Sequence, residues 1–314
     1  MTPSDHRPVL ITGAGGFIGK DVVSRLLARG WRVRAMVRRA GGTGLPSHER
    51  LEVVTADMRD EVSLRAAVKG VAAVVHLAAA KSDEKDSDDV NVGGAKRLVA
   101  VCRADGCERV VNVSTLSVKI ARKGTYARTK AEADKVFQAS GLKVTTLLSN
   151  IVYGEEKSGV FGTVSKFVQK LPAVPVLGDG QWVCAPVYIG DVSDAIIACL
   201  ETDATVGKSY DLAGPDQMSF DTFIDRLSAE LEVHRPKVHI PFAIALMMAR
   251  ILCRVMPHPP ITVSNVLGSN QCVPMDTNPA RRDFGFAPLD FQTGLKVVLG
   301  KIANPRAGAG GSGD

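Results

Sequence analysis

A glycine-rich turn near the N-terminus constrains the fold of this chain more than any other feature. The apolar run at residues 9–11 is typical of a strand buried on both faces, and a helical pattern opens soon after it. Between them lie Gly13, Gly16 and Gly19. Glycines so placed allow a tight bend, close approach of the backbone to a pyrophosphate, and close packing of helix on sheet. Because the N–H groups at a helix start attract phosphate, the turn predicts a dinucleotide site.

Strand-like and helix-like segments alternate through the first half of the chain. Four segments have helical patterns. The first follows the glycine turn, the second covers residues 60–69, the third has a face formed by Ala95, Leu98, Val99 and Cys102, and the fourth covers residues 126–139. The apolar, strand-like segments are residues 9–11, 31–37, 51–55, 71–77, 109–115 and 143–149. This alternation predicts an α/β fold of the Rossmann type, with a doubly wound parallel sheet and helices on both faces.

Past residue 153 the rhythm breaks down, and glycine and proline become frequent. We expect residues 8–153 to form the dinucleotide-binding core, joined by a returning segment at about 181–212. Residues 154–180 and 213–300 should form a smaller substrate-binding region over the carboxyl edge of the sheet. Residues 301–314 are expected to be a flexible tail.

Composition and charge exclude several functions. The 314 residues are 45% hydrophobic and 23% charged, and the net charge is +6. The arginines are scattered apart from a small cluster at residues 32–39, so nucleic-acid binding is not expected. Six cysteines show neither a CxxC pair nor zinc spacing and follow no secretory signal, which favours reduced thiols, a cytoplasmic location and no metal. No run reaches the roughly 20 apolar residues of a transmembrane helix.

Three side chains form a candidate acid/base device. Tyr126 and Lys130 stand four apart on one face of a predicted helix, and Thr115 ends the strand before it. A tyrosine has an ordinary pKa of about 10, and a nearby lysine ammonium favours the phenolate and lowers that pKa. A threonine hydroxyl could hydrogen-bond a substrate oxygen while the tyrosine moves a proton and a cofactor moves a hydride.

With these residues in place, the chain resembles an extended short-chain dehydrogenase/reductase of the NAD-dependent epimerase/dehydratase-like family. The resemblance covers roughly residues 8–298. The matching segments are TGAGGFIG at 12–19, ADMRD at 56–60, HLAA at 76–79, NVGG at 91–94, ST at 114–115, YARTK at 126–130, VYG at 152–154, GDG at 178–180, PVYIGDV at 186–192 and ARRDFGF at 280–286.

The resemblance implies roles for particular residues. The proton donor of the family falls on Tyr126, its lysine on Lys130 and its Ser/Thr on Thr115. Adenine would lie beside Asp57 and Met58. The expected cofactor-binding positions are Gly13, Gly16, Phe17, Ile18, Gly19, Asp57, Met58, Leu77, Ala78, Ala79, Tyr126 and Lys130, with Leu77, Ala78 and Ala79 beside the pyrophosphate.

Departures from the family pattern bear on the cofactor. Members that prefer NAD carry an acid at the end of the second strand, which binds the ribose 2′-hydroxyl. This chain has Val37 there, followed by Arg38 and Arg39. Because a guanidinium suits a 2′-phosphate, we expect NADP bound through Arg38, with NAD as the alternative.

Other departures bear on the substrate. Dehydratases of the family place an Asp-Glu pair directly after the Ser/Thr, where this chain has Leu116 and Ser117. Nucleotide-sugar enzymes usually carry arginines at positions that read Leu148 and Cys184 here. The expected substrate is therefore a small or apolar molecule rather than a sugar diphosphate.

The segment 240–256 is apolar apart from Arg250 and Arg254. We expect a helix that packs in the core of the substrate region or forms an apolar lip over the site. The alternative is a surface that touches a membrane or a partner, so peripheral membrane contact stays open, as does a homodimer.

The main functional hypothesis is an NAD(P)-dependent oxidoreductase acting on a ketone or secondary alcohol, with Tyr126 as acid/base. A second hypothesis is a sugar or nucleotide-sugar epimerase that retains its cofactor. A third is a non-catalytic dinucleotide-binding subunit of the respiratory complex I accessory type. Intact Tyr126 and Lys130 argue against the third, since a purely structural role does not need this pair.

Overall fold

The computed structural model describes residues 6–39, 41–80, 86–154, 159–256, 262–268 and 272–304. The helices are α1 (Phe17–Ala28), α2 (Glu61–Val68), α3 (Gly94–Asp105), α4 (Thr125–Gln138), α5 (Gly159–Lys170), α6 (Ile189–Glu201), α7 (Phe220–Glu230), α8 (Phe242–Val255), α9 (Val263–Gly268), α10 (Asn278–Phe284) and α11 (Phe291–Val298). A π-helical segment at Asp88–Gly93 precedes α3, and a 3₁₀ turn at Leu116–Lys119 precedes α4.

Seven parallel strands form the central sheet. They are β1 (Val9–Thr12), β2 (Val33–Val37), β3 (Leu51–Thr55), β4 (Ala73–His76), β5 (Arg109–Thr115), β6 (Lys143–Ser149) and β11 (Ser209–Leu212). Their spatial order is β3-β2-β1-β4-β5-β6-β11, and every neighbouring pair runs parallel. The predicted doubly wound Rossmann-type sheet is therefore confirmed.

The strand order reverses between β1 and β4. From β1 the chain builds outward to β3 on one side, and it then returns to place β4, β5 and β6 on the other. In open parallel sheets, ligands bind at the carboxyl ends of strands at such a reversal. The fold thus puts the glycine turn, which follows β1, at the edge where a ligand is expected.

Two apolar layers cover the sheet. One face packs against α1 and α6 through Val22, Leu26, Ile196 and Leu200, and Trp31 is fully enclosed there. The other face packs against α2, α3 and α4 through Leu64, Leu98 and Phe137, among others. All residues of β1 and β4 are buried, which explains why these strands lack polar alternation in the sequence.

An aromatic core lies outside the sheet layers. It joins α5, α7 and α11 around Tyr153, which packs edge-on against Phe291 at a centroid distance of 5.1 Å. The remaining short strands form three two-stranded pairs. These are β7 (Val152–Tyr153) with β10 (Val187–Tyr188), β8 (Val174–Leu177) with β13 (Lys237–Ile240), and β9 (Val183–Cys184) with β12 (Met218–Ser219).

Helix α8 forms as expected, but its expected core position is wrong for most of its surface. Only Ala245 and Ala249 are buried, and they pack with Val266 of α9. The outward residues are exposed by 40–75%: Ile244, Met247, Met248, Ile251 and Val255. The short helix α9 packs against that one side. In a sequence that is apolar apart from Arg250 and Arg254, the covered side could not be predicted from the periodicity. Within the residues described, no helix has both the length and the apolarity to cross a membrane.

Gly19 provides a test of the turn that organises this fold. A Cβ at Gly19 would collide with the Gly13 carbonyl oxygen and would lie 2.8 Å from the Ala14 Cα, so backbone would have to move. We expect Gly19→Ala to lower the free energy of unfolding by about 1–3 kcal/mol, the usual cost of overpacking. Urea denaturation measures this.

Gly41→Ala is the matched control, because a Cβ at Gly41 meets nothing within 4 Å. That variant should stay within about 0.5 kcal/mol of wild type. Equal stability of the two variants would contradict the tight packing of the turn.

Candidate active site

The turn after β1 leaves a helix start open to a ligand. Gly13 has a φ of 72°, and a Cβ there would lie 2.9 Å from the Ala78 nitrogen, so the turn sits directly against the loop that follows β4. Helix α1 begins at Phe17, and its preceding residue, Gly16, provides no side-chain cap. The first N–H groups of α1, which include those of Phe17 and Ile18, therefore suit an anionic ligand.

A single hydroxyl fastens the β4 loop to β1. Thr12 Oγ1 accepts hydrogen bonds from the backbone N–H groups of Leu77 and Ala78, both at 3.2 Å. The Thr12 hydroxyl in turn donates a hydrogen bond to His76 Nδ1, 3.0 Å away. Burial, together with the Lys130 ammonium, lowers the pKa of His76 to about 3, so this imidazole is neutral and accepts at Nδ1.

Leu77, Ala78 and Ala79 become progressively more open along this loop. Leu77 and Ala78 are half-buried, and Ala79 is exposed. Ala80 is buried again, and its backbone N–H donates to the Asn91 side chain at 2.8 Å. Asn91 in turn donates to Thr129 of α4 at 2.9 Å. The loop is therefore tied to the strand before it and to the helix that carries Tyr126.

The end of β2 and the loop after β3 form a second part of the site. Asp57 is half-buried, and hydrogen bonds from Arg59 lower its pKa to about 2, with a smaller contribution from the Arg38 charge. Arg38 is exposed, and its charge lies close enough to Asp57 to help lower the pKa of that carboxyl. Met58 is buried against Gly94, where a Cβ would lie 2.9 Å from the Met58 Cβ. Val37, buried at the end of β2, offers no carboxylate at the ribose position.

The predicted acid/base residues lie on neighbouring elements. Tyr126 and Lys130 are one turn apart on α4, and Thr115 is the last residue of β5. Lys130 is 3% exposed, and its Nζ donates to the Val113 carbonyl oxygen at 2.9 Å. Tyr126 is half-buried. The Thr115 hydroxyl is engaged with Ser117: it contacts Ser117 Oγ at 3.2 Å and accepts from the Ser117 N–H at 3.2 Å.

The pKa of Tyr126 differs from the sequence expectation. Burial raises it, and the Asp134 carboxylate raises it further, whereas the sequence predicted that Lys130 would lower it. The physical reason is that the Lys130 ammonium is itself buried, which lowers its own pKa, and it donates to a backbone carbonyl. In this structure Tyr126 is therefore held as the neutral phenol.

Asp134 is a further residue of the candidate site and was not predicted from the sequence. Its carboxylate is 6% exposed and accepts hydrogen bonds from Asn112 Nδ2 at 2.8 Å and from Ser114 Oγ at 2.6 Å. It lies four residues after Lys130, so Tyr126, Lys130 and Asp134 follow one face of α4. That spacing was the available signal, although the spacing alone could not distinguish a buried carboxylate from a solvated one.

A buried apolar cluster includes Leu116, the residue that follows Thr115. Leu116, Leu148, Ala185 and Ala213 are buried in one cluster, together with the partly buried Val118, Val273 and Met275. Leu148 and Cys184 are the two positions at which the sequence lacks an expected arginine, and Cys184 is also fully buried. Lys119, the positively charged residue nearest to Thr115 in sequence, forms an ion pair with Asp211 at 2.7 Å. Lys166, Lys170 and Arg250 are exposed.

Comparisons with known proteins agree with this architecture. Residues 9–213 match the model of the NAD dependent epimerase/dehydratase family. A 2-alkyl-3-oxoalkanoate reductase of Stenotrophomonas maltophilia is 27% identical over 334 aligned positions, covering 94% of this chain and 99% of the reductase. Subunit 9 of the NADH dehydrogenase [ubiquinone] 1 alpha subcomplex of Arabidopsis thaliana mitochondria is 29% identical over 250 positions, which cover 76% of this chain and 61% of that subunit.

A solved structure shows the same fold. The dTDP-glucose 4,6-dehydratase of Streptomyces venezuelae, crystallised with NAD bound, superposes with a TM-score of 0.77 at 22% identity, over 95% of this chain and 97% of that one.

The parallel sheet with a glycine turn at its reversal point defines a Rossmann-type, dinucleotide-binding class of protein. More narrowly, the chain belongs to the NAD-dependent epimerase/dehydratase family, whose members are oxidoreductases, epimerases and dehydratases of the extended short-chain dehydrogenase/reductase type.

The charge on Asp134 can be tested through the pH dependence of turnover. Because this carboxylate raises the pKa values of Tyr126 and Lys130, Asp134→Asn should lower both. If the phenol of Tyr126 donates the proton in ketone reduction, activity is lost as pH rises through its pKa. We therefore expect the alkaline limb of the pH–rate profile to move to lower pH in this variant.

Glu132→Gln is the control, because it neutralises a carboxylate on the same helix that is paired with Arg128 at the surface. Its profile should match that of wild type. An unmoved alkaline limb in Asp134→Asn, with the fold intact, would show that Asp134 does not tune the site.

Proposed function

We propose that this protein is an NADP(H)-dependent oxidoreductase that interconverts a ketone and a secondary alcohol on a small or apolar substrate. The observation that carries the proposal is the alignment of Tyr126, Lys130 and Asp134 on one face of α4, beside the end of β5 at Thr115. This group is connected through Thr129 and Asn91 to the loop that faces the glycine turn.

The residues around the turn fit a dinucleotide. The start of α1 has no side-chain cap, and Gly13 allows the β4 loop to approach closely. The bound cofactor supplies or accepts a hydride at the substrate carbon. The chain then has to hold that carbon near the cofactor and move one proton at the substrate oxygen.

Tyr126 is the proposed proton donor in the direction of reduction. Its phenol would give a proton to the carbonyl oxygen as the hydride reaches carbon, so that the product is the neutral alcohol. The raised pKa of Tyr126 keeps it protonated at neutral pH, which suits this direction. Lys130 would stabilise the phenolate that remains and would contact the cofactor ribose, and Thr115 would orient the carbonyl.

Several features support an apolar substrate. The buried cluster at Leu116, Leu148, Ala185 and Ala213 lies beside Thr115, and no arginine stands at position 148 or 184. A diphosphate placed there would lose its paired charges, and leaving an anion unpaired costs several kcal/mol. The relative from Stenotrophomonas maltophilia is named as a reductase of 2-alkyl-3-oxoalkanoates, which combine a ketone with alkyl chains.

The similarity to the mitochondrial NADH dehydrogenase subunit supports a second candidate, a non-catalytic dinucleotide-binding subunit of a larger assembly. A structural role of this kind needs the turn and the sheet but not the tyrosine and lysine. Kinetic tests of Tyr126 therefore separate the two candidates.

Removal of the Tyr126 hydroxyl tests the proposed reaction. With a panel of alkyl ketones and NADPH, Tyr126→Phe should lower turnover by about 10²- to 10⁴-fold, the usual contribution of general acid catalysis. NADPH affinity should change little, because only the hydroxyl is removed. The loss of NADPH absorbance measures turnover, and a separate binding titration measures NADPH affinity.

Tyr210→Phe is the matched control, since it deletes a tyrosine hydroxyl that donates to Asp283 outside the site. It should retain turnover. Wild-type turnover in Tyr126→Phe would remove Tyr126 from the mechanism, and absence of turnover with every ketone would favour the non-catalytic candidate.

The Arg38 side chain tests the cofactor assignment. A charge-assisted contact with the 2′-phosphate is worth about 1.5–3 kcal/mol, or roughly ten- to a hundred-fold in affinity. Wild type should therefore bind NADPH more tightly than NADH, and Arg38→Ala should weaken NADPH binding by that factor with little effect on NADH. Fluorescence titration with both cofactors measures this.

Arg32→Ala is the control, because Arg32 is an exposed arginine that precedes β2 rather than following it. Its affinities should equal those of wild type. Equal affinity of wild type for the two cofactors, or an equal loss of both in Arg38→Ala, would show that Arg38 does not read the 2′-phosphate.

A further inference from the structure

Helix α8 presents an apolar surface to solvent. Ile244, Met247, Met248, Ile251 and Val255, here called the α8 stripe, are exposed by 46, 56, 40, 55 and 75%. They recur at spacings of three and four, so they form one continuous row along the helix. Single exposed apolar residues are ordinary, whereas a row of five marks a contact surface.

Positive charge borders this row on one side. Arg250 and Arg254 are each three residues beyond a stripe residue, Met247 and Ile251, and therefore lie along one edge of the stripe. Both are exposed, and neither has an ion-pair partner within the described part of the chain. The sequence contains no Asp or Glu between Glu232 and Asp276. The segment that contains α8 is thus apolar and basic and supplies no acidic residue of its own.

The opposite side of α8 leads toward the proposed active site. Ala245 and Ala249 pack with Val266 of α9, and α9 in turn contacts α4, the helix of Tyr126 and Lys130. Whatever covers the α8 stripe therefore lies two helices away from the acid/base residues.

We propose that the α8 stripe docks on the surface of an anionic lipid bilayer, with Arg250 and Arg254 contacting lipid phosphates. The 14 residues of α8 extend about 21 Å, which is too short to cross a hydrocarbon core of roughly 30 Å, so the helix lies in the plane of the interface. An apolar row flanked by arginines is the arrangement that binds there: the row enters the acyl boundary, and the arginines reach the headgroups. The inference goes beyond the proposed reaction and stands on α8 alone.

Charge favours a lipid surface over a second copy of the chain. An antiparallel twofold contact through the α8 stripe would bring the same edge of both helices together, and hence Arg250 and Arg254 of both copies. The surrounding segment offers no carboxylate to neutralise these four charges. Lipid phosphates supply the missing negative charge.

Vesicle flotation with the full chain tests the proposal. Vesicles of phosphatidylcholine alone and of phosphatidylcholine mixed with phosphatidylglycerol are used at low and at high salt. Wild type should float with the mixed vesicles, more strongly at low salt, where screening is weak. Met247→Glu/Ile251→Glu should abolish flotation. Arg250→Gln/Arg254→Gln should weaken binding to the mixed vesicles roughly 25-fold, about fivefold for each arginine.

Val62→Glu and Arg65→Gln are the matched controls. They make the same kinds of change on α2, where Val62 is 78% exposed, and they should float as wild type does. Circular dichroism and NADPH titration verify the fold of each variant. If the double glutamate variant fails to fold, the arginine pair and the salt series still decide the result, since they leave the apolar stripe intact.

Three outcomes would overturn the proposal. One is wild type that floats with neither kind of vesicle, and another is a folded Met247→Glu/Ile251→Glu variant that floats as well as wild type. The third is wild type that sediments as a dimer in the absence of lipid while the glutamate variant is a monomer, which would assign the stripe to a subunit contact. Flotation is measured without turnover, so its result is independent of the proposed reaction.

Discussion

The hydroxyl of Thr12 is the contact on which the site depends most directly. It holds two backbone N–H groups of the β4 loop and donates to the neutral His76 ring, and it does so at the end of β1, where the sheet reverses its strand order. Because Gly13 follows at once with a positive φ, the same loop lies directly against the turn. A larger residue at position 13 would push the turn after β1 away from the loop that follows β4.

The remaining parts of the site are positioned by polar contacts made from this edge inward. Asn91 connects the β4 loop with Thr129, and Lys130, the next residue on α4, is fixed to the Val113 carbonyl of β5. Asp134 then accepts from Asn112 and Ser114 on the same strand. Buried polar groups are costly unless they are hydrogen-bonded, so these contacts also hold α4 in a single orientation on the sheet.

Much of this arrangement could be predicted from the sequence, because it depends on local patterns. The strands at residues 109–115 and 143–149 agree with prediction to the residue, since both segments, RVVNVST and KVTTLLS, are rich in the β-branched and apolar residues that favour strands. The position of Asp134 could not be predicted, because its burial depends on Asn112 and Ser114 lying across from it in space. The exposure of α8 could not be predicted either. An apolar helix without polar alternation gives no indication of which side its neighbours cover.

The ionisation of the buried groups follows from their shared environment rather than from any one pair. Burial disfavours charge on His76, Tyr126 and Lys130 alike, and it lowers the pKa values of the two bases while raising that of the phenol. The Asp134 carboxylate raises the pKa of both Lys130 and Tyr126. It therefore acts against the effect of burial on Lys130 and adds to the effect of burial on Tyr126. A negative charge one turn from Lys130 on the same helix therefore favours the ammonium form of Lys130 and the neutral phenol of Tyr126.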